Sequence, residues 1–396
     1  MNVLICHNAY QIYGGEDHVV AAEIALLEQN GHQVTLWRVT NDDIKGPLGK
    51  INAGLRAAYS QKAKQTLKAL IEAHTPEIVH VHNFFPLMSP SVFDACQEMG
   101  VPVIQTLHNF RFFCAKGTLN RDGKFCEKCL HHSPYQAVKH GCYRGSKLQT
   151  IPVAHMIDKH RRARTFIEKV DRFIALTEFS KSKFLEYGIP SKKIAIKPNF
   201  LHCQNKGLPL SMRDIPVVYV GRLSEEKGID TLIKMADKLA YPITVIGEGP
   251  LQSAVMSNNN IRYLGALAHD EVMDSVGRSR VLVLPSVCPE SGLALSVKEA
   301  MMQGTSVVVS DIGSLGEKVA HKVNGLKAPV NDVDAFVEQV SLLMEDDHLW
   351  QAISTKAVQF AQDNYTPASN IDQLLNIYQD VIAQYPANQG ECHAKT

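Results

Sequence analysis

Short apolar runs alternate with amphipathic segments along almost all of this 396-residue chain, and the series starts twice. The first series has candidate strands at Val3–Cys6, Val34–Arg38, Ile78–His82, Val103–Leu107, Arg172–Leu176 and Ile194–Lys197. The second follows Lys206-Gly207-Leu208-Pro209, with Val217–Val220, Ile243–Ile246, Ile261–Leu264, Val281–Leu284 and Val307–Val309. Strands separated by helical segments build parallel sheets covered on both faces. The pattern predicts an α/β protein of two Rossmann-like, doubly wound lobes. The first, 1–200, carries an insertion at 110–145; a linker at 201–213 leads to the second, 214–364. Open parallel sheets bind ligands outside the carboxyl ends of their strands, so the cleft between two such lobes is the expected site.

At each end one helix stands out. Gly15–Gln29 places Val19, Val20, Ile24 and Leu27 near helical spacing, and 365–386 does the same with Ile371, Leu374, Leu375, Ile377, Tyr378 and Ile382. The polar tail 387–396 is expected to be mobile. No run reaches 18 uncharged apolar residues, and MNVLICHNAY opens into a strand instead of a basic-then-apolar leader. A cytoplasmic protein is expected. The nine unevenly spaced cysteines point the same way, toward thiols that are free or on metal.

Net charge is +1, yet the halves differ. Residues 1–200 carry 26 Lys+Arg against 17 Asp+Glu, leaving 15 against 23 for the rest. The excess includes Lys159-His160-Arg161-Arg162-Ala163-Arg164. Such a face suits phosphate, nucleic acid or an anionic membrane, and equally a solvated helix.

Three loops carry the residues best suited to chemistry. After the first strand, Gly14-Gly15 opens a helix whose free N–H groups and dipole favour an anion. The spacing is not that of a dinucleotide oxidoreductase. The second lobe opens with Gly221-Arg222-Leu223-Ser224-Glu225-Glu226-Lys227-Gly228, where Arg222 and Lys227 put two cations at a strand exit. Pro289-Glu290-Ser291-Gly292-Leu293-Ala294 then leads into a helix carrying Glu299. Carboxylates accept from sugar hydroxyls, and free amides suit phosphate oxygens. Asp332-Val333-Asp334 precedes a helical run and reads as an N-cap instead of a metal motif.

Taken together, the Gly-Gly loop, GRLSEEKGID, VIGEGP, YLGAL and PESGLALSVKEAMMQGTSVVVSDIGS resemble the retaining glycosyltransferases of family 4, which have the GT-B fold. The resemblance spans nearly the whole chain. It implies transfer of a sugar from a nucleotide diphosphate sugar with retention at the anomeric carbon, without a catalytic metal, and a last helix that crosses back to the first lobe. It further implies that Arg222 and Lys227 bind the donor diphosphate, Glu299 the ribose, and Glu290 the donor sugar. Backbone near Gly265 would hold the base, and the amides of Gly292, Leu293 and Ala294 the sugar or phosphate. One departure is that eight residues, not seven, separate Glu290 from Glu299. His108, in Gln105-Thr106-Leu107-His108-Asn109, matches the family's histidine beside donor sugar and acceptor. It would donate to a sugar hydroxyl or steady charge in the transition state.

The insertion holds Cys114, Cys126, Cys129 and Cys142, with the two-residue spacing of a zinc knuckle in Cys126-Glu127-Lys128-Cys129. A structural zinc is expected, against unligated thiols in an acceptor loop. Between them Asp122-Gly123 marks a hairpin turn. A Cys-bearing insertion at this place resembles that of family members associated with surface polysaccharide assembly. Together with the basic face it suggests a glycan or lipid-diphosphate-linked acceptor at the inner leaflet. The other readings are a sugar-nucleotide epimerase or phosphorylase on the same fold, and a nucleic-acid-binding protein, which the acidic second half disfavours.

Overall fold

The computed structural model describes every residue except 12–13, 203–207 and 394–396, and only the backbone of 47, 48, 50 and 386–393. Residues 203–207 of the predicted linker thus lie outside the described residues. The chain forms two compact units: unit 1 comprises Met1–Thr118, Glu127–Asn199 and Ala368–Thr396, and unit 2 comprises Leu119–Cys126 and Phe200–Pro367.

Unit 1 is built on six parallel strands: β1 (Asn2–Ala9), β2 (Gln33–Thr40), β3 (Ile78–Asn83), β4 (Val103–Thr106), β5 (Arg172–Ala175) and β6 (Ile194–Ile196), in the order β2-β1-β3-β4-β5-β6. β3 is buried along its whole length and β1 from Val3 to Ala9. Strands covered on both faces read as apolar runs, which is why they stand out in the sequence. Unit 2 repeats the design with β7 (Ile215–Val220), β8 (Ile243–Ile246), β9 (Ile261–Gly265), β10 (Ser279–Leu284), β11 (Ser306–Ser310) and β12 (Leu326–Ala328). Its order, β9-β8-β7-β10-β11-β12, is that of a dinucleotide-type doubly wound sheet.

The helix Gly15–Gln29 buries three of the four apolar residues expected on its inner face, with Glu23 beside them in place of Ile24. Val19, Val20, Glu23, Leu26 and Leu27 are buried, while Ile24 is only half-buried. A carboxylate therefore lies on the inner stripe. The last helix, Pro367–His393, belongs to unit 1 and buries Ile371, Leu374, Ile377, Tyr378 and Val381. The segment expected to be a mobile tail continues this helix to His393. Asp332 caps the helix Val333–Glu345 by accepting from the Ala335 N–H at 3.0 Å.

A hairpin of two short strands, Asn120–Arg121 and Lys124–Phe125, turns at Asp122-Gly123 as predicted. Both turn residues have positive φ (52° and 68°), the twist that a two-residue hairpin requires. This hairpin is part of unit 2, where Asn120 Nδ2 donates to Val287 O at 3.0 Å. Among the described residues no helix is long and apolar enough to cross a membrane.

Candidate functional site

In unit 2 the strand ends converge on one loop system. β7 ends at Val220, and Gly221-Arg222 follow at the exit, Arg222 exposed. A short turn delivers Lys227 and then Gly228, whose φ is +74°. A Cβ at Gly228 would lie 1.8 Å from Pro285 O, so only glycine lets these loops close on one another. Lys227 Nζ reaches Glu290 Oε1 at 2.5 Å. Burial works against the ammonium charge, but Glu290 more than offsets it and holds Lys227 above its ordinary pKa. Ser286 Oγ also donates to Glu290 Oε1 at 3.3 Å, and Ser314 Oγ donates to Glu290 O at 2.6 Å. The additional residue in the loop therefore leaves Glu290 beside Lys227.

Glu299 lies on the helix Leu295–Met302 with its side chain 12% exposed, and its carboxylate is 3.9 Å from His269 Nδ1. Burial pushes its carboxyl above the usual range, with His269 and Lys298 opposing. Ahead of that helix, the amides of Gly292, Leu293 and Ala294 donate to no acceptor found among the described residues. Gly265 closes β9 with φ +75°, and its carbonyl accepts from Gly247 N–H at 2.8 Å. A cation pair, two carboxylates and free amides thus share the carboxyl-end loops of one sheet. That inventory suits a diphosphate flanked by sugars.

In unit 1 Gly14 precedes the helix at Gly15, and its N–H donates to Asp17 Oδ2 at 3.0 Å. Asp17 Oδ1 meets His7 Nε2 at 2.9 Å. Next to it, Tyr10 OH donates to Glu16 Oε2 at 2.9 Å, and burial pushes the Glu16 carboxyl up to about 8. His108 follows β4 and lines a pocket with His82, Gln105, Asn109, Arg111 and Phe85. The Arg111 guanidinium sits 4.8 Å over the Phe85 ring and 5.5 Å from the Tyr143 ring. Burial drives the His108 and His82 rings well below the ordinary histidine range, His82 to about 3. Both are neutral at physiological pH.

Two features were beyond sequence reasoning. Beneath His108, Glu23 and Lys197 form a fully buried ion pair, with Glu23 Oε2 at 2.9 Å from Lys197 Nζ. An acidic residue on a helix stripe otherwise made of Val19, Val20, Leu26 and Leu27 is the signal that could have flagged it. The second is the contact of His82 Nδ1 with His108 Nε2 at 2.9 Å, between residues 26 apart.

The four cysteines of the expected thiolate set are divided between the units, Cys126 in unit 2 and Cys114, Cys129 and Cys142 in unit 1. Cys114, Cys126, Cys129 and Cys142 are each half-buried, and Cys129 Sγ donates to Pro134 O at 3.7 Å. Among the described residues, metal-type groups close up in two places, Glu23/His80/His82 and Glu127/His131/Glu186, and neither includes a thiol. Each already holds a lysine: Lys197 on Glu23, and Lys183 at 2.7 Å from Glu127 and 2.8 Å from Glu186.

Comparison with known families decides the identity. A model described as Glycosyltransferase Family 4 matches residues 13–205, and one described as Glycosyl transferases group 1 matches 215–346. The chain belongs to glycosyltransferase family 4. Among relatives of this transferase, an alpha-D-kanosaminyltransferase of Streptomyces kanamyceticus is 20% identical over 361 residues, 86% of each chain. An O-antigen chain mannosyltransferase B of Escherichia coli is 27% identical over 58% of this chain and 67% of its own. Solved structures share the GT-B fold. HepE of Anabaena, determined with UDP, has a TM-score of 0.66 at 16% identity, covering 96% of this chain and 100% of its own. The sucrose-phosphate synthase of Thermosynechococcus elongatus has a TM-score of 0.70 at 18% identity, covering 96% and 99%.

Proposed function

We propose that this family 4 enzyme moves a sugar, with retention at the anomeric carbon, from a nucleoside diphosphate sugar to a growing glycan during polysaccharide assembly. The observation that carries this reading is the Lys227–Glu290 pair beside the free amides of Gly292, Leu293 and Ala294. As the glycosidic bond to the diphosphate breaks, negative charge grows on the leaving group. Arg222, Lys227 and those amides stabilise that charge more in the transition state than in the ground state. Glu290, shared between Lys227 and Ser286, is assigned to the donor sugar, and Glu299 to the ribose. The polysaccharide setting rests on relatives such as the O-antigen mannosyltransferase.

A lipid-linked acceptor at a membrane surface is part of the proposal, and one face of unit 1 supports it. Ile51 and Leu55 on the helix Gly46–Ala57 are 60% and 75% exposed; Leu148 and Ile151 on the helix Lys147–Arg162 are 79% and 44% exposed. The two helices pack closely, since a Cβ at Gly54 would lie 3.3 Å from Pro152. Leu148, Ile151, His155, Lys159 and Arg162 recur at helical spacing on one exposed stripe, apolar at its start and basic at its end. Apolar side chains flanked by cations suit an anionic bilayer surface.

The test is a transfer assay with a panel of nucleotide sugars and lipid-linked oligosaccharide acceptors, reading the product's anomeric configuration by NMR. A product with the donor's own anomeric configuration supports the reading. Inversion, or interconversion of the free nucleotide sugar without transfer, overturns it.

A further inference from the structure

The insertion after His108 begins Phe110-Arg111-Phe112-Phe113, and these side chains do not share one environment. Phe110, Phe112 and Phe113 are buried, with Phe112 stacked on Phe166 at 3.9 Å and the other two packed on Phe184. Arg111 alone of the four is partly exposed, and it lines the pocket beside His108. Backbone bonds close the loop that presents it: Cys114 N–H donates to Phe110 O at 2.8 Å, and Phe110 N–H donates to Gly117 O at 2.9 Å. Gly117 has φ +84°, and a Cβ there would lie 3.2 Å from Arg111 Nη2, so glycine leaves the room that the guanidinium fills.

The guanidinium is held in place but not neutralised. The Arg111 backbone N–H donates to Asn109 Oδ1 at 3.0 Å, and Nη1 donates to Ala115 O. Its Cζ is 4.8 Å from the Phe85 ring centre and 5.5 Å from that of Tyr143. Nε and Nη2 donate to no acceptor among the described residues, and no carboxylate among them forms an ion pair with Arg111. Among the described residues that line the pocket, Arg111 carries the one permanent charge, since burial keeps His82 and His108 neutral. Glu16 feels that charge, but burial pushes its carboxyl up to about 8, so it supplies little counter-charge at pH 7. A second arginine meets the same ring. Arg144, exposed and at φ +55°, has its Cζ 5.5 Å from the Tyr143 centre, again with no ion pair among the described residues. Two cations at one ring raise the positive potential there, and a guanidinium fork matches the paired oxygens of a carboxylate or phosphate.

We propose that Arg111, together with Arg144 on the Tyr143 ring, binds an oxyanion carried by the acceptor glycan: a phosphate at its reducing end or the carboxylate of a sugar acid. The proposal rests on the transferase reading for the ligand being an acceptor, whereas the uncompensated charge is a property of unit 1 itself. Arg111 provides the directed contact from inside the pocket, and Arg144 adds charge from its exposed position.

The test is isothermal titration calorimetry on the full chain carrying Arg222→Ala/Lys227→Ala, which removes the other cation pair that would attract a diphosphate. The probes are two matched pairs, geranyl diphosphate with geraniol and methyl glucuronide with methyl glucoside. One anionic probe should bind more tightly than its neutral match. That affinity should fall about 10- to 100-fold in Arg111→Gln, the scale of losing a charge-assisted hydrogen-bonding group, and by less in Arg144→Gln. Arg111→Lys keeps the charge and loses the fork, so its affinity should lie between wild type and Arg111→Gln. Preference for geranyl diphosphate identifies a lipid-diphosphate end as the source of the anion, and preference for the glucuronide a sugar acid. No preference for either anion, or undiminished affinity in a folded Arg111→Gln, overturns the proposal. Where Arg111→Gln does not fold, a preference that survives both Arg111→Lys and Arg144→Gln unchanged overturns it equally. If the anion binds as expected but the native chain turns over no nucleotide sugar, the transferase reading fails and the anion site stands. If transfer proceeds with the same KM for charged and neutral acceptors, the anion site fails and the transferase reading stands.

Discussion

Lys227 Nζ and Glu290 Oε1 meet at 2.5 Å although 63 positions separate them in the chain, and the pair sits where two loops leave the carboxyl ends of neighbouring parallel strands. Each side chain is about a fifth exposed, so the pair contributes only about 1 kcal/mol to folding. Lys227→Ala should therefore leave the melting temperature nearly unchanged. Sugar transfer should fall about 100- to 1,000-fold, the usual scale for losing one group that stabilises transition-state charge. Steady-state kinetics with calorimetry on the same preparation check both halves.

With Glu299 on the ribose as proposed, donor binding should depend on pH. Burial raises its carboxyl above the usual range, so it takes up a proton at a higher pH than an ordinary glutamate. The ionised form is the better acceptor for ribose hydroxyls, so nucleotide affinity should fall as pH drops through the weakly acidic range. Stability moves the other way: the folded state holds this proton more tightly than the unfolded chain, so the contribution of Glu299 to folding improves as pH falls through that window. Glu299→Gln should flatten the affinity profile over the range in which this raised carboxyl takes up its proton, measured by isothermal titration calorimetry.

The Glu23–Lys197 pair is a stability element with the opposite sign. Burial opposes the Glu23 charge, but Lys197 and the two histidines hold its carboxyl well below the usual range. A depressed acid stabilises the fold above its unfolded pKa and loses that contribution as pH falls through the folded one. Unit 1 should thus acquire acid sensitivity below about pH 4.3. Removing one partner, as in Lys197→Met, should cost about 3–5 kcal/mol, and the double variant Glu23→Gln/Lys197→Met much less. Denaturant titration of the single and double variants measures the difference.

Gly228→Ala should lower stability by about 2–4 kcal/mol, because the new methyl both strains a left-handed backbone and collides with a carbonyl that cannot move freely. The collision is with Pro285 O at 1.8 Å. Gly123→Ala, at φ +68° but with nothing within 4 Å, should cost clearly less. Thermal unfolding of the two variants side by side gives the comparison.

Leu55→Glu/Leu148→Glu should abolish co-flotation with vesicles containing anionic lipid while leaving the melting temperature unchanged. Both side chains are more than 70% exposed and support no core. Undiminished flotation would remove this face from the membrane proposal.

The strands were legible because parallel strands buried on both faces appear as continuous runs such as Val-Val-Val in β11 and Val-Leu-Val-Leu in β10. β12 escapes that reading because its three residues, Leu-Lys-Ala, are too short to form a run. The loop groups of unit 2 were legible because glycine and charge cluster locally there. The buried Glu23–Lys197 pair was not. Its carboxylate occupies a stripe position that apolar counting gives to Ile24, and the partner Lys197 lies 174 residues away. The Cys126-x-x-Cys129 spacing is local, whereas whether other thiols approach it depends on backbone paths that spacing does not determine. Here the hairpin ties Cys126 N–H to Leu119 O at 2.8 Å.

In the proposed function Arg222 and Lys227 receive the diphosphate of a nucleotide sugar. Thermal shift of the full-length protein against UDP, GDP, ADP and their sugar conjugates, beside Arg222→Ala/Lys227→Ala, tests it most directly, because a ligand bound to the folded state raises its melting temperature by mass action. The account predicts a rise with one nucleotide family that disappears in the double variant. A folded protein that responds to none of them, or a shift that survives the double substitution, would contradict it.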